Sequence, residues 1–206
     1  MKLKVCGMRD PQNIKDLQEI EPDYMGFIFW APSTRYVDQP DTPKLASSIK
    51  KTGVFVNATI DYIQSIITQH QLDAVQLHGD EMPQYCQLVQ QQGVEVIKAF
   101  SVGKPFDFNQ LASYDKTCDY FLFDTKGPLP GGNGTGFDWK ILETHSHTKP
   151  FFLSGGIGLD DLERIKPLLK SDLPLHAIDV NSKFEQSPGF KKIDELAKFK
   201  ADLYEL

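Results

Sequence analysis

A chain of 206 residues, 40% hydrophobic and 24% charged, is long enough for one well-buried core and short for two domains. The net charge of −6 and pI near 5.3 exclude a general nucleic-acid binder, which would carry a basic stripe, and no run approaches the roughly 18 apolar residues of a membrane span. Cys6, Cys86 and Cys118 have no C-x-x-C spacing, which excludes a disulfide framework and most zinc motifs, so a cysteine here acts as a single thiol.

The N-terminus reads Met1-Lys2-Leu3-Lys4-Val5-Cys6-Gly7, with no apolar signal core, and a cytoplasmic location is expected, with no nucleic-acid or membrane partner. From there a strand-then-helix alternation runs through the chain. A strand at 2–6 precedes helical character over 11–19. Strand Tyr24–Trp30 precedes 42–51, Val54–Val56 precedes 59–70, Ala74–Leu77 precedes 81–92, and Val94–Ala99 precedes 107–113. Tyr120–Phe123 precedes 137–144, Phe151–Leu153 precedes 159–170, and Ala177–Val180 precedes 190–205. Ile60, Ile63, Ile66 and Ile67 fall on one helical face, and Val54-Phe55-Val56 lacks alternation, as a strand buried on both sides does.

About eight units of near 25 residues suit a single (β/α)8 barrel of the TIM type spanning residues 1–206, an α/β fold. An open doubly wound sheet shares the alternation and is the competing architecture. The unit count favours closure, and so does the position of the polar and Gly-rich residues, which follow strands rather than helices. In a barrel those loops converge on one face.

The strand ends carry the candidate chemistry. Cys6 ends the first strand and Gly7 follows at once; Asp124 ends the sixth, before a loop with Lys126 and Gly131-Gly132-Asn133-Gly134-Thr135-Gly136. A thiol and a carboxyl so placed suggest a base and acid pair. The glycines of the second loop suit an anion site or a mobile lid. Arg35, after strand two, suits a carboxylate or phosphate, because a guanidinium grips either bidentately. His78, after strand four, reads as structural, as a helix cap, or as lining the site. Ser154-Gly155-Gly156-Ile157-Gly158 and Asp179-Val180-Asn181-Ser182 follow strands seven and eight, where such barrels commonly bind phosphate, though Gly155-Gly156 also reads as a tight turn. Cys86 and Cys118 read as small hydrophobes, Trp30 and Trp139 as core or rim packing, and Lys191-Lys192 as a local charge cluster second to Lys50-Lys51.

In order, these motifs resemble the phosphoribosylanthranilate isomerase family of tryptophan biosynthesis over nearly the whole chain. The resemblance rests on Lys4-Val5-Cys6-Gly7, Gly26-Phe27-Ile28-Phe29 with Ser33-Thr34-Arg35-Tyr36-Val37, and Gly53-Val54-Phe55-Val56-Asn57. It continues through Val75-Gln76-Leu77-His78-Gly79, Leu122-Phe123-Asp124-Thr125, Phe137-Asp138-Trp139 and the two phosphate-type loops. It implies an Amadori rearrangement of N-(5-phosphoribosyl)anthranilate, a phosphorylated aminosugar, to 1-(o-carboxyphenylamino)-1-deoxyribulose 5-phosphate. Asp124 would be general acid on the ring oxygen, and Cys6 general base on C2′. No metal or cofactor is implied, since the substrate's own iminium is the electron sink.

The resemblance further implies that Arg35 holds the anthranilate carboxylate, that His78 and Asp179 line the substrate site, and that Gly155, Gly156, Asn181 and Ser182 hold phosphate, in a monomer or homodimer. Lys183 and Thr34 stand where the family often has Gly and Pro, so Lys183 either adds charge at the phosphate or points to solvent. The chemistry asks for a Cys6 thiol lowered by loop amides, by a cation such as Lys126 or Arg9, or by the Schiff base. A histidine-pathway isomerase of similar fold would use two carboxylates, and a catalytically silent sugar-phosphate barrel would have lost Cys6 or Asp124.

Overall fold

Every predicted strand forms in the computed structural model, which describes residues 1–39, 41–103, 106–125, 138–144 and 148–206. They are β1 (Lys2–Val5), β2 (Tyr24–Ile28), β3 (Lys50–Phe55), β4 (Ala74–Leu77), β5 (Glu95–Val102), β6 (Tyr120–Thr125), β7 (Phe151–Leu153) and β8 (Leu175–Val180). They pair in sequence order, all parallel, and β8 pairs back onto β1, so the sheet closes and has no edge. The fold is a (β/α)8 barrel, and the open sheet is excluded.

Strand alternation sorts the apolar side chains into two layers. Leu3, Val5, Phe121, Phe123, Ile178 and Val180 point outward beneath the helices, whereas Tyr24, Ala74, Leu122, Phe152 and Ala177 fill the barrel axis. The axial layer is apolar towards the N-terminal ends of the strands. One pleat higher on the same inward faces come Gln76, Asp124, Ser154 and Asp179.

Five α-helices lie among the described residues: α1 (Pro11–Gln18), α2 (Ile60–His70), α3 (Pro83–Gln90), α4 (Leu162–Leu169) and α5 (Ile193–Tyr204). Asp10 caps α1 by accepting the Asn13 amide at 2.8 Å, with Pro11 in the first turn. Thr59 caps α2, which buries Ile63 and Ile66 as the periodicity predicts.

The other predicted helices differ. Segment 42–51 is not helical, because Lys50 to Gly53 pair with Tyr24 to Phe27 as part of β3, and Lys51 buries its ammonium against the His70 carbonyl at 3.0 Å. Sheet pairing takes the end of that segment. Segment 107–113 is a 3-10 turn, Phe108–Tyr114, and 137–144 contains another, Trp139–Thr144, with Phe137 outside the described residues. Segment 190–205 starts late. The chain first forms an antiparallel ribbon, β9 (Glu185–Ser187) and β10 (Phe190–Lys191), and only then α5.

At the barrel floor His176 touches Tyr24, whose hydroxyl lies 3.1 Å from Nε2, and stacks near Tyr120 with ring centroids 4.3 Å apart. Burial pushes its imidazole down to about 4, and the nearby charges of Lys2 and Lys50 add to the effect. Between about pH 6.5 and 4 the unfolded chain therefore takes a proton that the folded one refuses, and stability falls with pH across that window. Thermal melts of wild type and His176→Gln should diverge there, with wild type losing roughly 2–4 °C more, on the order of 1 kcal/mol for a partly exposed group. Parallel melting curves would contradict this account.

Candidate active site

Lys4 on β1 and Cys6, one residue past its end and still hydrogen-bonded to the Val180 carbonyl, are two residues apart and share the inward face. Lys4 is fully buried and donates to Asp179 Oδ1 at 2.7 Å; the two are register partners on the seam where β8 meets β1. Asp179 Oδ2 accepts from Ser154 Oγ at 3.1 Å, at the end of β7. Gly26 on β2 leaves room for the thiol, since a Cβ there would stand 2.8 Å from Cys6 Sγ.

A cavity opens above this network at the C-terminal ends of the strands. Cys6, Arg35, His78 and Asp124 line it, together with Gly156, Asp179, Asn181 and Ser182. Eight of the nine residues singled out from the sequence therefore face one space. The ninth, Gly155, does not line it. At φ +107° Gly155 packs against the end of β6, where a Cβ would stand 2.2 Å from Thr125 Oγ1. It shapes the turn that presents Gly156.

Asp124 is buried, and its Oδ1 accepts the Thr125 amide at 2.8 Å. Its Oδ2 lies 3.3 Å from His78 Nε2, near enough for an ion pair but out of line for a hydrogen bond. Gln76 Nε2 is 2.9 Å from His78 Nδ1; with the amide donating, the imidazole proton sits on Nε2, facing Asp124. His78 is thus neither a helix cap nor remote from the acid, because Met82 occupies the cap position of α3.

Burial pushes the Cys6 thiol above its ordinary value, and Asp179 adds to the shift while Lys4 and Lys191 oppose it. The expected lowering is therefore absent: burial outweighs the cations, and the protein alone does not supply a ready thiolate. Lys4 keeps its charge, because Asp179 and Cys6 more than offset the lowering that burial alone would cause. Arg9, named from the sequence, instead pairs with Asp38 at 3.4 Å on the surface. Lys126 and the glycines at 131–136 lie outside the described residues.

Other expectations resolve simply. Burial pushes Cys86 and Cys118 up to about 11 and about 12, the behaviour of inert core thiols. Trp30 lines the cavity, and Trp139 is buried with the Arg164 guanidinium 4.1 Å above its ring. Lys183 is exposed, its stem beside Gly158. Among the described residues no group of His, Cys, Asp and Glu is arranged to hold a metal ion.

Sequence reasoning missed Lys4, although its spacing from Cys6 already put both on one face. It also missed Glu185 and Lys191. Of the Lys191-Lys192 cluster, Lys191 is buried and Lys192 is exposed.

The site as built offers a carboxyl and a thiol on one cavity, a guanidinium beside them, and loop backbone after β7 and β8. The family model described as N-(5'phosphoribosyl)anthranilate (PRA) isomerase matches residues 3–201. The N-(5'-phosphoribosyl)anthranilate isomerase of Parabacteroides distasonis is 42% identical over 204 residues, 97% of this chain and 91% of its own. A crystal structure of phosphoribosyl anthranilate isomerase from Thermus thermophilus has a TM-score of 0.85 at 25% identity, covering 100% of this chain and 99% of that one. Another structure of such an enzyme, in complex with reduced 1-(o-carboxyphenylamino)-1-deoxyribulose 5-phosphate, has a TM-score of 0.81 at 26% identity, covering 100% of both chains.

Gly7 has φ +76°, and a Cβ added there would stand 2.7 Å from both Arg35 Cδ and Asn181 Oδ1. The left-handed backbone and the double clash should make Gly7→Ala destabilising by about 1–3 kcal/mol. Urea denaturation checks this; an unshifted midpoint would mean that both side chains move aside freely.

Proposed function

The chain belongs to the N-(5'-phosphoribosyl)anthranilate isomerase family and is an isomerase of tryptophan biosynthesis, and from that premise we propose a division of labour in its cavity: Asp124 is the general acid and Cys6 the general base. The observation that carries the reading is that Asp124 is the penultimate residue of β6 and Cys6 directly follows β1, at the C-terminal ends of two strands, and that both line the same cavity.

Asp124 gives its proton to the furanose ring oxygen. The C1′–O bond breaks, its electron pair stays on that oxygen, and the nitrogen lone pair forms the iminium. Cys6 then takes the C2′ proton, and the C–H electrons move into a C1′–C2′ double bond as the iminium is neutralised. The resulting enolamine tautomerises to the ketone. The iminium is also the missing activator of Cys6: a cation generated beside a buried thiol favours the thiolate that Lys4 and Lys191 alone do not secure. His78 stands beside the acid, its Nε2 3.3 Å from Asp124 Oδ2 without a hydrogen bond, and bounds the cavity there.

The substrate's two anions have separate grips. Arg35, which lines the cavity, takes the anthranilate carboxylate with the guanidinium donors that Glu185 leaves open. The loop backbone around Gly156, Asn181 and Ser182 takes the phosphate, shaped by the Gly155 turn. Asn181 contributes as a donor, its side-chain Nδ2 turned to the anion while its side-chain oxygen accepts from Lys191 at 2.6 Å. Asp179 bounds the cavity near the linking nitrogen while neutralising Lys4. A cytoplasmic enzyme acting on a diffusible substrate fits this reading, and no described helix is long and apolar enough to cross a membrane.

Turnover is followed by loss of anthranilate-type fluorescence. Cys6→Ser and Asp124→Asn should each lower kcat by about 100- to 10,000-fold with little change in KM, the signature of a lost proton-transfer group. Near-full activity in either variant would remove that residue from its role.

A further inference from the structure

Arg35 does not stand alone in the cavity wall. Its Nε lies 2.9 and 3.1 Å from the two carboxylate oxygens of Glu185, and its Nη2 donates to Oε2 at 2.6 Å, a bidentate grip that fixes the plane of the guanidinium. Glu185 is itself saturated: Oε1 also accepts from Lys191 Nζ at 2.7 Å and from the Gly189 amide at 3.0 Å. Lys191 completes its shell at Asn181 Oδ1, 2.6 Å away. The main chain of Lys191 is pinned to α1 by both ends of the Asn13 amide, at 2.9 and 2.7 Å. All of this is carried by the β9–β10 ribbon, which takes no part in the barrel.

The arrangement solves an electrostatic problem. A carboxylate that orients an arginine also cancels its charge, and a neutral pair attracts an anion weakly. Here one carboxylate sits between two cations, so the cluster as a whole keeps a net positive charge beside the cavity that Arg35 lines. We propose that Glu185 and Lys191 are the positioning residues of the substrate-carboxylate grip: Glu185 fixes the guanidinium of Arg35, and Lys191 restores the positive charge that this fixing removes. The inference rests on the reading of Arg35 as the carboxylate ligand.

The protonation states suit these roles. Burial would raise Glu185, but Arg35 and Lys191 hold it below the usual carboxylate range, so it stays anionic. Burial pushes Lys191 down to about 8 against the pull of Glu185 and Cys6, with Arg35 adding to the lowering. Those three are the titratable groups around it, from the ribbon, the end of β1 and the loop after β2, and Asn13 on α1 is neutral. Lys191 is therefore the member of the cluster that loses its charge first as pH rises.

The test is steady-state kinetics on the fluorescent substrate with Arg35→Ala, Glu185→Gln, Lys191→Met, the double variant Glu185→Gln/Lys191→Met, and Glu185→Gln in the Arg35→Ala background. Glu185→Gln should raise KM roughly tenfold or more with kcat changed less than about threefold, and Lys191→Met should raise KM as much while also lowering kcat, because Lys191 opposes the upward shift of the Cys6 thiol. In the Arg35→Ala background Glu185→Gln should add nothing, whereas a merely structural role would cost the same in both backgrounds. Wild-type KM should rise as pH passes about 8, and in Lys191→Met it should be high and flat.

The double variant leaves neither charge of the pair buried alone, so it stays informative if a single variant fails to fold; it should keep a raised KM through an unclamped Arg35. If Arg35→Ala raises KM while Glu185→Gln and the double variant do not, the inference is overturned and the reading of Arg35 stands. If Arg35→Ala leaves KM unchanged, that reading falls and the inference falls with it.

Discussion

A lysine buried inside a barrel needs a counter-charge, and the Lys4–Asp179 pair at the β1–β8 seam is the contact on which the rest of this molecule depends. The two residues are register partners, so pairing the charges and pairing the strands are one event. A slip of one residue would turn Cys6 and Lys4 outward together and leave an uncompensated charge in the core, a fault of about 3–5 kcal/mol. Ser154 extends the arrangement to β7 through the other oxygen of Asp179. The orientation of the thiol is thus enforced from beneath, by electrostatics rather than by shape alone.

The same buried setting keeps the Cys6 thiol protonated in isolation. Burial holds its proton on, and the cations around it reduce the effect without reversing it. A site of this kind is silent towards stray electrophiles and becomes basic when a positive charge is made next to it. In the proposed mechanism the substrate makes that charge after the ring opens, so proton abstraction follows ring opening by an electrostatic order and not by a moving part.

Much of this was legible in the sequence because a barrel repeats one rule. Strand ends converge, so Cys6, Arg35, His78, Asp124, Asp179 and Asn181 could be assigned to one face from their positions after apolar runs. The limits are equally physical. Segment 42–51 carries a helical pattern, but Lys50 and Lys51 are claimed by β3, and no local signal announces a pairing with residues 24 and 25. Gly155 and Gly156 read as one motif, yet opposite sides of the same turn separate a packing residue from a lining one. Lys191 beside Lys192 looks like a solvated charge pair until the ribbon reverses one of them into the interior. Glu185 lies 150 residues from Arg35 along the chain, beyond the reach of any periodicity.

That ribbon has a consequence for how such a protein can change over generations. Barrel closure needs residues up to Val180, whereas the clamp on Arg35 is written in a short hairpin between the last barrel strand and α5. Register, core and the proton-handling residues are encoded elsewhere. Substitutions within the hairpin can therefore retune which anionic end group the cavity holds while the scaffold stays as it is. Recognition and architecture are inherited here as nearly separate texts, joined where Asn13 reaches across from the first helix and where Lys191 meets Asn181.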